Sequence, residues 1–326
     1  MSRLAVLLVA VVTACGGKST PPPTTPLPAD KPPESEVKKD DPPAAPEKPP
    51  EPLGPAEVKI PATPVTVKLV SAGKGKKAPL RYSTKAGDKQ QVELAMDFSA
   101  KQTENGNSQD QIVPTIVLVG DAETKTVDKD GKAEYTLTVN TTDARDVTGS
   151  QIPAEKFKIV LGSLAGLTIS SSLGANGAGG DVTMRIEKPT EMSGGALELI
   201  RLTLPGFPVL PKEPVGVGAK WQATTISKLA DKLDVTQVTD YELVAQKGTT
   251  WTIKGKTTIT GVDQKMEGGD ISKIKGTGTS EATLTTGALY PTFKSLLETE
   301  FTAAEADKSM QFALKVGGAM KPVAAK

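Results

Sequence analysis

The chain has no histidine. That absence removes Ser-His and Cys-His nucleophile pairs, histidine general bases and nearly every zinc, copper or iron site. Cysteine is almost as scarce: Cys15 is the only one, so no disulfide can form within the chain. Aromatic residues make up 4% of the sequence, few for a carbohydrate enzyme or binder. Neither sign of charge dominates, since 39 Lys+Arg face 38 Asp+Glu, and there is no basic footprint for nucleic acid. No apolar run approaches the roughly 20 residues of a membrane-spanning helix. These absences point away from an enzyme, and no cofactor, metal or nucleic acid is expected.

What is present starts at the N terminus. Arg3 precedes an unbroken apolar run from Leu4 to Val12, followed by Val12-Thr13-Ala14-Cys15. This three-part layout is that of a secretory signal peptide over residues 1–14. Val12, Thr13, Ala14 and Cys15 resemble the bacterial lipobox. The resemblance implies diacylation of the Cys15 thiol, cleavage before it and acylation of the new amine. Two or more acyl chains hold a protein stably on a membrane. By the sorting rules of such lipoproteins, Gly16 favours the outer membrane. The membrane is thus the first expected partner, and the cell envelope the expected location.

Residues 15–64 read as a tether. Prolines recur singly and in runs, as at Pro21-Pro22-Pro23, Pro32-Pro33 and Pro49-Pro50, with charged residues and alanine between them. Such a composition cannot bury enough apolar surface to offset ordering entropy. Proline fixes φ and removes donors, so an extended spacer is expected. Gly17-Lys18-Ser19-Thr20 looks like the end of a phosphate-binding loop, but the upstream glycine would fall at Val12.

The remainder alternates with period two, the pattern of half-buried strands. Ala133, Tyr135, Leu137 and Val139 alternate with Glu134, Thr136, Thr138 and Asn140; Val182, Met184 and Ile186 do so with Thr183, Arg185 and Glu187. Turn signals at Asp130-Gly131, Lys247-Gly248, Gly174 to Gly180 and Gly287 separate such runs. Helix is expected over about Gly195 to Leu204, stopped by Pro205, and more weakly over Thr225 to Leu233. An internal duplication follows from recurring signals. Ala86-Gly87-Asp88-Lys89-Gln90 matches Val217-Gly218-Ala219-Lys220-Trp221, each before a strand, and Tyr135 and Trp251 each follow a hairpin turn. Thr103 to Asp110 reads as an exposed loop of the first half. The expected fold is mainly β: two similar antiparallel halves, as curved sheets or half-barrels, with one or two short helices. The halves cover 65–211 and 212–318, with a flexible tail at 319–326 and Leu204 to Pro211 linking them.

Pro214-Val215-Gly216-Val217-Gly218-Ala219-Lys220-Trp221 carries a "Pro-Val-x-Val-Gly-x-x-Trp" opening. In this it resembles uncharacterised bacterial lipoproteins with duplicated β-rich domains, a resemblance that implies no known activity. More distantly the layout is similar to half-barrel lipoproteins that hold lipid between a curved sheet and helices.

Candidate chemical motifs reduce to structural roles. Asp128-Lys129-Asp130-Gly131 has the start of a calcium loop but lacks the later oxygen ligands and the closing Glu, and a hairpin turn explains its residues. Asp143-Ala144-Arg145-Asp146 reads as a solvated strand end. Gly174 to Gly180 has no GK[ST] ending and reads as a flexible hairpin loop. Asn140-Thr141-Thr142 matches a glycosylation acceptor by accident of sequence. Two functions remain. One is a non-catalytic envelope lipoprotein with a structural or protein-interaction role on a long tether. The other is a binder or carrier of an apolar, lipid-like ligand between curved sheets. A filled interior favours the first, an apolar cavity of several hundred Å3 the second.

Overall fold

The structure is a computed structural model, and it describes residues 54–204, 206–229, 233–266, 269–288, 290–305 and 308–323. The signal peptide, the lipobox with Cys15 and most of the expected tether lie outside the described residues.

The chain is mainly β, and its strands form one antiparallel sheet that does not close. The first half runs through β3 (Lys89–Glu104), β4 (Asn107–Ile112), β5 (Thr115–Val127), β6 (Ala133–Arg145), helix α1 (Ala154–Gly162), β7 (Thr168–Leu173), β8 (Val182–Ile186) and helix α2 (Ser193–Thr203). The second half runs through β9 (Lys220–Leu229), β10 (Leu233–Lys247), β11 (Thr250–Thr260), β12 (Gln264–Met266), β13 (Gly269–Thr285), β14 (Thr292–Glu305) and β15 (Lys308–Pro322). Both halves meander in the same sense, and β3 of the first pairs with β15 of the second. Two short strands precede them: β1 (Ala56–Ile60) pairs with β8, and β2 (Val65–Ser71) pairs with β9. They are the two edges of the sheet.

This edge arrangement forces the sheet to roll up. The path β1-β8-β7-β6-β5-β3-β15-β14-β13-β11-β10-β9-β2 would, if flat, put its edges roughly 58 Å apart at about 4.8 Å per strand. The chain from Ile60 to Val65 reaches at most about 18 Å. The sheet therefore curls into an open barrel whose seam lies between β1 and β2. Inward residues of both edges, among them Val58, Ile60, Val67 and Leu69, pack on a single core shared by both halves.

The repeat is visible in backbone detail. Gly87 and Gly218 both sit at positive φ, 88° and 80°, two residues before the lysine that opens β3 or β9. Tyr135 on β6 and Trp251 on β11 both turn toward the shared core. The halves diverge where the first inserts helices. α1 rests Ala154, Phe157 and Leu161 on the core, and Asp146 Oδ1 accepts the Ala154 N–H at 2.9 Å to satisfy its first turn. α2 buries Ala196, Leu197, Leu199, Ile200 and Thr203 inside the roll.

Several expectations need correction. The described part of the expected helix over 225–233 is strand: residues up to Leu229 lie on β9 and Leu233 opens β10, and Thr225 and Thr224 pair with Gln237 and Val238. The tether does not extend to residue 64, because Ala56–Ile60 is a strand on β8. Ala319 to Pro322 belong to β15 and pair with Val92 to Ala95. Residues 103–110 form a hairpin extension, β4 on β3, rather than a loop. The Gly174 to Gly180 loop is clamped: Tyr82 N–H donates to the Ala175 carbonyl at 2.8 Å and Leu210 N–H to that of Asn176 at 2.7 Å.

That clamp belongs to the strap between the halves. Trp221 Nε1 donates to the Val209 carbonyl at 2.7 Å, the Tyr82 hydroxyl to that of Pro208 at 3.0 Å, and Arg81 to that of Pro211 at 2.8 Å. Phe207 and Tyr135 each lie 5.4 Å from the ring of Tyr290, and Trp221 stacks on Tyr241 at 5.6 Å. The few aromatics are thus concentrated where strap and halves meet.

Candidate functional site

Inside the second half, three successive rings of inward side chains follow the strand register. One runs Gln237, Ile259, Gly276, Thr299, Leu314; the next Thr239, Thr257, Gly278, Leu297, Val316; the third Tyr241, Gly255, Ser280, Ser295, Gly318. These rings are rich in Gly, Ser and Thr. The rings beyond them are bulky. On one side stand Leu243, Ile253, Ala282, Phe293 and Met320. On the other, Phe301 stacks on Phe312 at 5.2 Å within a separate core that includes Ile271, Ile274 and Met310.

Part of these rings lines a space: Gln237, Ile259, Thr299 and Leu314 of the first, Leu297 and Val316 of the second, and Ser295 and Gly318 of the third. It is a cavity of about 330 Å3, roofed by the C-terminal turn of α2. Ile60, Leu202, Leu204, Val235, Ile259, Leu297, Leu314 and Val316 give it apolar walls, with Thr203, Ser227, Gln237, Ser295 and Thr299 between them. The volume lies at the lower end of the roughly 300–1,000 Å3 typical of small-molecule sites. A groove on the outer face near Glu134, Ser170 and Asp181 is larger, at about 540 Å3, but shallow and lined mainly by polar side chains.

The wall is chemically quiet. Thr203 in it donates to the Leu199 carbonyl at 2.8 Å, and in the neighbouring ring Thr239 and Thr257 hydrogen-bond to each other at 2.9 Å. Among the described residues, no buried side-chain nitrogen or oxygen lacks a partner. Among the described residues, no carboxylate lines the cavity beside Ser227 or Ser295. The charged residues of the lining are Arg201, on α2, and Lys228, on β9. Arg201 pairs with Glu198 at 2.7 Å, and Lys228 with Asp234 at 2.6 Å. The arrangement can enclose apolar matter.

The residues singled out in the sequence fall elsewhere. Val12, Thr13, Ala14 and Cys15 lie outside the described residues. Asp128 is a turn former: its Oδ1 accepts the N–H groups of Asp130 and Lys132, each at 2.9 Å. Asp143 pairs with Lys158 at 3.0 Å, and that cation, ahead of the Ala144 N–H, holds its carboxyl below the usual carboxylate range. Arg145 pairs with Glu93 at 2.7 Å. Asn140 donates to Asp121 at 2.7 Å. The cavity residues were not singled out, and they come from strands distant in sequence, from Ile60 to Gly318, with no local motif.

A family model described as "Family of unknown function (DUF6263)" matches residues 206–288, which span the strap and β9 through β13. No curated protein matches the chain. Among solved structures, that titled "The crystal structure of Ail, the attachment invasion locus protein of Yersinia pestis" is similar at 6% identity. The likeness covers 71% of this chain and 99% of that one, with a TM-score of 0.12. A likeness at that score supports no conclusion about either protein.

Proposed function

We propose that this chain is a non-catalytic lipoprotein of the bacterial cell envelope, anchored through Cys15, that holds an apolar ligand inside its rolled sheet. The observation that carries the ligand reading is the cavity, where mainly apolar side chains line about 330 Å3 of partly open space between two close-packed layers. A purely structural or adaptor role would be served by a filled interior.

The anchor reading rests on the apolar run and lipobox at residues 4–15. It agrees with the character of the outer face, where Lys315 pairs with Glu298 at 3.0 Å, Lys275 with Glu300 at 3.2 Å and Lys254 with Glu281 at 3.8 Å. A barrel embedded in a bilayer presents an apolar band to lipid, whereas this face suits water. A lipid at the N terminus, followed by a proline-rich spacer, would hold such a water-facing body beside a membrane.

Two measurements test the proposal. Metabolic acyl labelling should mark the wild-type chain and not Cys15→Ser, which should leave the membrane fraction; unchanged labelling of that variant removes the anchor. For the ligand, an apolar fluorescent dye should bind the soluble Cys15→Ser chain in a form displaced by dodecanol. Adding Ser295→Phe, which fills the cavity, should abolish that binding while circular dichroism stays unchanged. Equal dye binding with and without Ser295→Phe places the ligand elsewhere or nowhere.

A further inference from the structure

Charge is balanced over the whole chain but not along it. Between Glu57 and Asp88 the sequence has seven Lys or Arg and no Asp or Glu. Three of these cations, Lys74, Lys76 and Lys77, share the loop that leaves β2 at Ser71, and all three are exposed. Among the described residues, none of their side chains has an ion pair or a hydrogen bond. The segment opposite, residues 211–219, adds one cation, Lys212, and one carboxylate, Glu213, so the positive excess stands. Glu242, on β10, is already paired with Lys220 at 3.8 Å.

The backbone under these lysines is fixed. Lys74 N–H donates to the Val217 carbonyl at 2.9 Å and Gly216 N–H to that of Ala72 at 2.9 Å, while Ala78 and Val215 exchange bonds at 3.0 and 2.9 Å. Gly73 sits at φ +75°, where a Cβ would strike the Gly216 carbonyl oxygen, and a Cβ on Gly216 would strike that of Lys74. Two apolar side chains stand beside the cations. Val70, just before the loop, is 65% exposed, and Val217, which accepts the Lys74 N–H, is 41% exposed. A soluble polyanion would be met by the cations alone and would leave the valines in water. A lipid surface uses both, since headgroup phosphates attract lysine and the acyl boundary takes up apolar side chains.

We propose that the loop at residues 72–78, with Val70 and Val217, docks the folded body on a membrane surface rich in anionic phospholipid. This goes beyond the lipid anchor and the cavity and depends on neither. Each lysine near an anionic surface strengthens binding by roughly fivefold. A loop already held in shape loses little freedom on docking.

The test is co-sedimentation of residues 15–326 carrying Cys15→Ser, which keep every described residue and lack both the apolar run at 4–12 and a lipidation site. The vesicles are phosphatidylcholine alone, or equal parts of phosphatidylcholine and phosphatidylglycerol. The protein should bind the mixed vesicles in preference to the neutral ones, and added salt should release it. Lys74→Gln, Lys76→Gln and Lys77→Gln together should lower binding on the order of a hundredfold. Glutamine at Lys256, Lys265 and Lys308, three exposed lysines elsewhere on the sheet, should lower it far less. Val70→Ser and Val217→Ser should each lower it severalfold. All these positions are exposed, and unchanged circular dichroism confirms the fold of each variant. No preference for the mixed vesicles, or equal loss from the two lysine triplets, overturns the proposal. Vesicle binding untouched by both valine changes also overturns it, and assigns the lysines to a soluble polyanion such as inorganic polyphosphate.

Discussion

At the scale of single residues, the strap and its aromatic partners hold the halves together. Trp221 is 1% exposed, stacks on Tyr241 and donates to the Val209 carbonyl. Trp221→Ala is expected to cost about 3–5 kcal/mol, measured by denaturant unfolding. Trp221→Phe keeps most of the burial and loses the hydrogen bond, so it should cost less. Gly177 makes a second point of dependence. Its φ is +85°, and a Cβ there would stand 2.4 Å from the Pro208 carbonyl oxygen and 2.6 Å from the Tyr82 ring. Gly177→Ala should therefore destabilise by about 2 kcal/mol or more, through strain and clash together. A neutral effect would mean that the loop does not bear on the strap. The four tyrosines also set the alkaline limit. Burial pushes Tyr241 up to about 12, raises Tyr135, and drives Tyr82 and Tyr290 well above the ordinary value. Tyrosine in the unfolded chain ionises near pH 10. The folded state resists ionisation, so this stabilisation is fully present below about pH 10 and is lost as pH rises toward the folded values. With no histidine in the chain, no imidazole transition is expected between about pH 5 and 8. Phenolate absorbance should rise together with unfolding rather than before it.

At the scale of elements, period-two alternation marked the long strands well, because each buries one face and shows water the other. The helix expected at Gly195 to Leu204 stands as α2 at Ser193–Thr203, since Leu197, Ile200 and Leu204 recur at helical spacing. Two elements were harder to read. α1 spans nine residues and carries Ile159 on its outer face, 68% exposed, which blurs the amphipathic stripe. β1 alternates cleanly as Ala56-Glu57-Val58-Lys59-Ile60, but Pro55 and Pro61 disguise it as more tether. Its partner β8 lies more than a hundred residues away, and that pairing has no local signature. The cavity was legible only in part. Ser295 and Gly318 are the small positions of its wall, while the side chains that bound it come from elements distant in sequence. Val58→Pro tests the role of β1, because proline cannot donate to a ladder. Amide exchange at Thr183 to Arg185 should quicken, while β10 and β11 stay protected. Equal loss in both places would mean that the seam governs the whole sheet.

At the scale of the whole molecule, an open barrel with its two edges tied by residues 61–64 has a built-in lateral opening. The cavity sits behind it, between a core shared by both halves and a smaller one confined to the second. Ser295→Leu separates a cavity from packed protein. Added methylenes in a close-packed core cost about 1–3 kcal/mol. Here they enter empty space, so the change should be below about 1 kcal/mol or stabilising. The most direct measurement is native mass spectrometry of the detergent-free Cys15→Ser chain as purified from cells, with and without Ser295→Phe. The expected result is one bound apolar ligand per chain in the parent and none in the filled variant. A bare chain in both, with no uptake of added dodecanoate or dodecanol, would contradict the proposal that the rolled sheet encloses a ligand.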